Sequence, residues 1–181
     1  IKFVTRRKIF FMKKLFVLSV VLFAMVAAKA QVSVDPDTKK IVYREVVTME
    51  GSKDTLYNRA MEWINSFYKN PQSVTTLRDP ENGVILCAHR FAMKETDEDG
   101  NVLTSNVIVE YKLKIEAKEG RYRYTFDEFR KKDVSMFPLE RWLDKADPQY
   151  TPKCEEYLSQ VDTQIKEIIA SLKKGMLPVA P

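Results

Sequence analysis

Apolar residues recur with two different spacings along this chain, and the places where the spacing changes outline its elements. Lys40 to Met49 is rich in β-branched residues and reads as a strand. Ser52 is a good N-cap with Asp54 in the first turn, and Leu56, Ala60, Trp63, Ile64 and Phe67 then mark one face of a helix. Asn70-Pro71 ends that helix, because the residue before a proline is pushed out of the helical region. Ser73 to Arg78 and Val84 to Lys94 read as strands on either side of the turn Asp79 to Gly83. The acidic turn Thr96 to Gly100 leads into Val102 to Ala117, where Val107, Val109, Tyr111, Leu113 and Ile115 alternate with Ile108, Glu110, Lys112, Lys114 and Glu116. After Lys118 to Gly120, the residues Tyr122, Tyr124 and Phe126 alternate with Arg121, Arg123, Thr125 and Asp127. Both patterns are those of strands with one buried and one wet face.

Asp133 to Tyr150 has no sustained rhythm, although Phe137-Pro138-Leu139 and Arg141-Trp142-Leu143 allow one helical turn. Thr151 and Pro152 read as the cap and first position of a last helix. Its stripe runs through Cys154, Tyr157, Leu158, Val161, Ile165, Ile168, Ile169 and Leu172, and Gly175 ends it. The predicted order is β-α-β-β-β-β-α. Four strands joined by short turns imply an antiparallel meander, and two one-sided helices must cover its apolar face, with Trp63 of the first packed against Val109, Tyr111 and Leu113. The fold class is therefore α+β, with the opposite sheet face open to water.

The first thirty residues obey a different rule. From Met12 they read Met-Lys-Lys, then an apolar run from Leu15 to Ala28, then Ala28-Lys29-Ala30 before Gln31. A basic start, a short apolar core and a small-x-small end are the marks of a secretory signal peptide. The run is shorter than the roughly 20 residues a spanning helix needs, and with the first cysteine at Cys87 nothing marks a lipid attachment point. Residues 1–11 read as lying upstream of the true start, 31–38 as an extension, and 39–132 as the domain. Residues 133–150 form an irregular connection, 151–175 the last helix and 176–181 a tail. The expectation is an exported, periplasmic or secreted protein with no membrane anchor after cleavage and no lipid.

The leader also changes the meaning of the charge. The chain has 30 Lys and Arg against 25 Asp and Glu, but seven of the basic residues and none of the acidic ones precede Gln31. The remainder carries 23 against 25, so the overall basic balance does not argue for a nucleic acid partner.

The runs Ile41 to Val47, Leu56 to Trp63 and Arg121 to Phe126 resemble a family of small exported bacterial proteins that carry a domain of unknown function with a TATA-binding-protein-like (TBP-like) fold. The resemblance covers roughly residues 39–130 and implies that fold. It brings no catalytic residues, since the family has none assigned, and fold alone does not carry function.

Candidate chemistry is sparse. His89 is the single histidine, which excludes a multi-histidine metal site. Cys87 and His89 share a strand face with Ile85, Phe91 and Met93, which marks a core pair rather than a thiolate–imidazole dyad. In an oxidising compartment Cys87 and Cys154 either pair or stay as free buried thiols, and spacing does not decide between them. Asp97-Glu98-Asp99 lacks the spaced ligands of a calcium loop and reads as a solvated tip. The row Tyr122, Tyr124, Phe126 reads as core rather than as a base-stacking platform. No catalytic, cofactor or metal residue is assigned. The leading expectation is a non-catalytic binding or envelope-interaction module meeting an unknown protein or envelope ligand. Its contact surface is the open face bearing Arg90, Lys112, Lys114, Arg121 and Arg123, or the stretch around Phe137 and Trp142, which otherwise folds onto the sheet edge. The alternative is an envelope hydrolase using scattered carboxylates.

Overall fold

The computed structural model describes residues 31–133 and 137–178. The leader reading (residues 1–30) and the last three residues of the tail fall outside them. The elements are β1 (Tyr43–Thr48), α1 (Lys53–Phe67), α2 (Pro71–Val74), β2 (Thr75–Asp79), β3 (Val84–Thr96), β4 (Val102–Lys118), β5 (Arg121–Lys131), β6 (Phe137–Pro138), a 3-10 turn (Leu139–Leu143) and α3 (Lys153–Gly175). The main strands lie in the order β1-β5-β4-β3-β2, all neighbours antiparallel, with β6 pairing the far end of β5.

Alternation explains which face is covered. Val109, Tyr111, Leu113, Ile115 and Ala117 of β4 and Tyr122, Tyr124 and Phe126 of β5 are all at most 3 % exposed. They share the core with Leu56, Tyr57, Ala60 and Ile64 of α1 and Val161, Ile165 and Leu172 of α3. Ser52 caps α1 by accepting a hydrogen bond from the Thr55 amide at 3.1 Å. Gly83 has φ +68°, and a Cβ there would lie 2.5 Å from the Ala117 carbonyl oxygen. Only glycine allows the β2–β3 turn to come that close.

Several expectations change. Pro71 begins a helical turn, so the strand expected from Ser73 starts only at Thr75. Four residues are too few to show a helical period. Phe67, expected on the buried stripe of α1, is 40 % exposed. Trp63 was expected against the sheet but sits in the seam between the two long helices. Its indole N–H donates to Ser171 Oγ at 3.1 Å, and a Cβ on Gly175 would meet its ring at 2.6 Å. The Thr151 hydroxyl lies 3.7 Å from Cys154 Sγ and makes no backbone cap on α3.

Candidate interaction face

The side of the sheet away from the two long helices carries a lattice of charges. Register fixes who meets whom. Ala88 stands opposite Lys112 and Arg90 opposite Glu110 across β3–β4, while Glu110 faces Arg130, Glu116 faces Arg123 and Lys118 faces Arg121 across β4–β5. Arg44 of β1 lies beside Thr125 on the same side. Among the residues of the five main strands, Arg44, Arg90, Lys94, Lys112, Lys114, Lys118, Arg121, Arg123 and Arg130 are the outward cations, and Asp79, Glu110, Glu116, Asp127 and Glu128 the outward carboxylates. Nine against five is a net positive face. Subtracting these from 23 and 25 leaves 14 basic and 20 acidic residues for the rest of 31–181. The sheet thus separates charge that is nearly balanced along the chain.

A β-bulge shapes the middle of this face. Lys112 pairs with Asp127 and Glu110 with Arg130, so β5 spends two residues, Glu128 and Phe129, where β4 spends Tyr111 alone. Glu128 takes φ +50°, which is unusual for a side-chain-bearing residue. The extra residue turns Glu128 to the open side next to Asp127 and returns Phe129 to the core. Glu128 accepts from Lys112 Nζ at 2.8 Å and from the Arg130 guanidinium at 2.7 Å. Arg123 and Lys114 similarly hold Glu116 at 2.6 and 3.1 Å, and Arg90 lies 4.0 Å from Glu110. The Lys112 bond holds the Glu128 carboxyl below its usual range, whereas burial, with Glu128 beside it, pushes the Asp127 carboxyl up. Over this waist lies an open trough of about 890 Å³, bounded by Ala88 to Arg90, Glu110 to Lys112, Glu128 and Arg130, and at its end by Lys69, Asn70, Ser73 and Val74.

The five basic residues named from the sequence, Arg90, Lys112, Lys114, Arg121 and Arg123, all lie on the open face of the sheet. Arg90 and Lys112 line the trough, and Arg123 lines a smaller cavity with Lys118 and Arg121. The aromatic stretch does not join them. Phe137 is 6 % and Trp142 4 % exposed, with the Trp142 ring 5.6 Å from Tyr157 of α3. This stretch packs at the sheet edge and is withdrawn as a contact surface, because β6 pairs with β5 and α3 covers the indole. Arg130, Glu128 and Lys69 were missed. The available signal was a slip of phase: apolar residues at 122, 124 and 126 resume at 129, which is how an extra residue in a strand looks in sequence.

On the covered face, the Tyr68 and Tyr111 hydroxyls lie 3.2 Å apart, and Tyr111 Oη is 3.4 Å from His89 Nδ1. Burial pushes the Tyr111 hydroxyl up to about 12, the Cys87 thiol up to about 11, and the His89 imidazole down. A thiol so raised is not a thiolate nucleophile. Cys87 and Cys154 are both buried and unbridged. Among the described residues, no group of three or more His, Cys, Asp and Glu side chains is placed to hold a metal ion, and no helix is long and apolar enough to cross a membrane.

Residues 43–132 match the family model described as a domain of unknown function (DUF4468) with TBP-like fold. The chain is similar in structure to a DUF4468 family protein from Bacteroides ovatus, with a TM-score of 0.62 and 14% identity over 85% of this chain and 95% of that one. It is likewise similar to a TBP-like protein from Parabacteroides distasonis, with a TM-score of 0.60 and 14% identity over 78% and 96%. At that identity the likeness concerns the fold. Comparison with curated protein sequences finds no match.

Proposed function

Since residues 43–132 belong to the DUF4468 family of TBP-like fold, a description that assigns no activity, we propose that the protein is an exported, non-catalytic binding module whose contact surface is the open sheet face. The observation that carries this reading is the separation of charge: nine cations and five carboxylates face outward from the main strands, while the rest of residues 31–181 is net acidic. A face that is neither covered by a helix nor neutral is where a partner gains from docking. Export is supported by the leader pattern of Met12 to Ala30. The same location, and a near-neutral balance beyond it, speak against a nucleic acid partner. A carboxylate hydrolase is less well supported. An acid catalyst needs a carboxyl free to give and take a proton, and in the trough Glu128 is engaged by Lys112 and Arg130, and Glu110 by Arg90.

A photo-crosslinking side chain at Ala88, on the open face, and another at Glu167, exposed on α3, test the proposal in the native cell. Ala88 is expected to give a discrete adduct outside the cytoplasm, from a chain that has lost Leu15 to Ala28. Adducts from Glu167 alone, no adduct from either, or a cytoplasmic chain with its leader intact would overturn it.

A further inference from the structure

We infer that the trough at the waist of the open face takes an acidic, extended segment of a partner protein. The inference rests on the reading of the open face as the contact surface and adds the chemistry of its occupant.

The bulge at Glu128 makes the trough by bending β5 where it passes Tyr111. On the opposite side, β2 accompanies β3 only as far as Cys87, and the chain from Lys69 to Val74 forms the end wall. Further along β3, the Gln160 side chain of α3 imitates a neighbouring strand. Its Oε1 accepts from the Lys94 amide and its Nε2 donates to the Lys94 carbonyl, both at 2.8 Å. The stretch of β3 that borders the trough lies between these two covers.

Charge selects the occupant. Lys69, Arg90, Lys112 and Arg130 contribute four cations to the trough, and Glu110 and Glu128 two carboxylates. A passing carboxylate therefore meets a net positive strip on a molecule otherwise net acidic. Three strands about 4.8 Å apart and the end wall span the length of roughly four extended residues at ~3.3 Å each. A polypeptide fits this mixture better than nucleic acid does. Its side chains bring acidic groups to Arg90 and Lys112 while its backbone N–H groups can donate to Glu110 and Glu128. A phosphate at every nucleotide would instead meet both carboxylates. The rings that a single strand would stack on are also turned away, since Tyr111, Tyr122, Tyr124 and Phe126 are buried on the other face.

Fluorescence anisotropy of a labelled peptide of alternating glutamate and serine, added to the protein as the cell processes it, tests this at about 50 mM salt, where exposed charges are least screened. Binding is expected, and it should weaken about tenfold or more in the double variant Arg90→Glu, Lys112→Glu. The milder pair Arg90→Gln, Lys112→Gln should weaken it in the same direction with an unchanged melting temperature. Lys145→Glu, in the segment after the 3-10 turn, should leave it unchanged. A short DNA duplex and vesicles containing phosphatidylglycerol are the competing probes. No peptide binding, binding indifferent to both double variants, or tighter binding of duplex or vesicle would each overturn the inference. If the Ala88 adduct is with a basic or neutral segment, this inference falls while the open face stands as the contact surface.

Discussion

Tyr111 and Lys112 are consecutive residues of β4, yet they live under different physics. Tyr111 is 2 % exposed, its hydroxyl placed between Tyr68 and His89 and its ring close to Phe126 and Phe129. Lys112 is more than half exposed and leans on Glu128 through an ion pair that water and salt compete with. The covered face is held by volume: removing atoms there leaves a cavity. The open face is held by exchangeable charges, so its side chains can change partners at small cost to the fold. A surface free to rearrange in this way can bind without unfolding what supports it.

The largest expected effect that would break this comparison is in the core. Phe126, fully buried between Tyr111 and Tyr124, should cost about 3–5 kcal/mol when replaced by alanine, read as a fall in the urea midpoint. Next comes the helix seam. A methyl group on Gly175 would sit 2.6 Å from Trp63 Cδ1, so Gly175→Ala should cost about 1–3 kcal/mol through overpacking. Trp63→Phe should relieve part of that loss, which a double-mutant cycle measures. If Gly175→Ala is neutral, the seam is looser than described.

The tyrosine hydroxyls sharpen the comparison within the core itself. Tyr111→Phe removes the group paired with the Tyr68 hydroxyl and should cost about 1 kcal/mol. The Tyr122 hydroxyl is buried and has no hydrogen-bond partner among the described residues. Tyr122→Phe should therefore leave the melting temperature unchanged or raise it.

pH separates a clamp that bridges the hairpin and the last helix from the open face. Glu95 accepts from Ser105 at 2.6 Å, from the Tyr157 hydroxyl, and from Lys153 at 3.0 Å, which holds its carboxyl at about 2. A folded value below the unfolded one means stability that is present above about 4.5 and lost as pH falls toward about 2. Glu95→Gln should flatten that part of the pH–stability curve. Asp127 has the opposite sign, because burial raises its carboxyl. Its contribution is present at low pH and lost as pH rises through the raised value. Asp127→Asn should thus stabilise at neutral pH, by an amount that shrinks on acidification. Urea midpoints across pH check both. The smallest effect belongs to Lys112→Ala, within about 0.5 kcal/mol, and a loss comparable to that of Phe126→Ala would mean the two faces do not differ as described.

Most of the architecture was legible because each long element repeats its period several times. The strict alternation from Val107 to Glu116 announces an inside and an outside to β4, and the stripe from Cys154 to Leu172 announces α3. Short or irregular pieces were not legible. The single turn at Pro71 to Val74 shows no period, and the stretch from Phe137 to Leu143 does not reveal by its own pattern that α3 will close over Trp142. The placement of Trp63 was missed for a related reason. A residue at the margin of a helical stripe can face either the sheet or the neighbouring helix, and Gly175, over a hundred residues away, decides which.

Residue order by itself determined the order of the long elements, which side of its strand each regularly alternating side chain occupies, and that Arg90, Lys112 and Arg123 would point away from the core. Those follow from periods of two and 3.6 that regular strands and helices obey locally. Only the tertiary structure decided that Arg90, Lys112 and Arg130 share one trough, and that a chain nearly balanced in charge presents a positive face. The reason is register. Which residues meet across strands is set by the turns and by the extra residue at Glu128, and a shift of one position there would bring a different set of charges together.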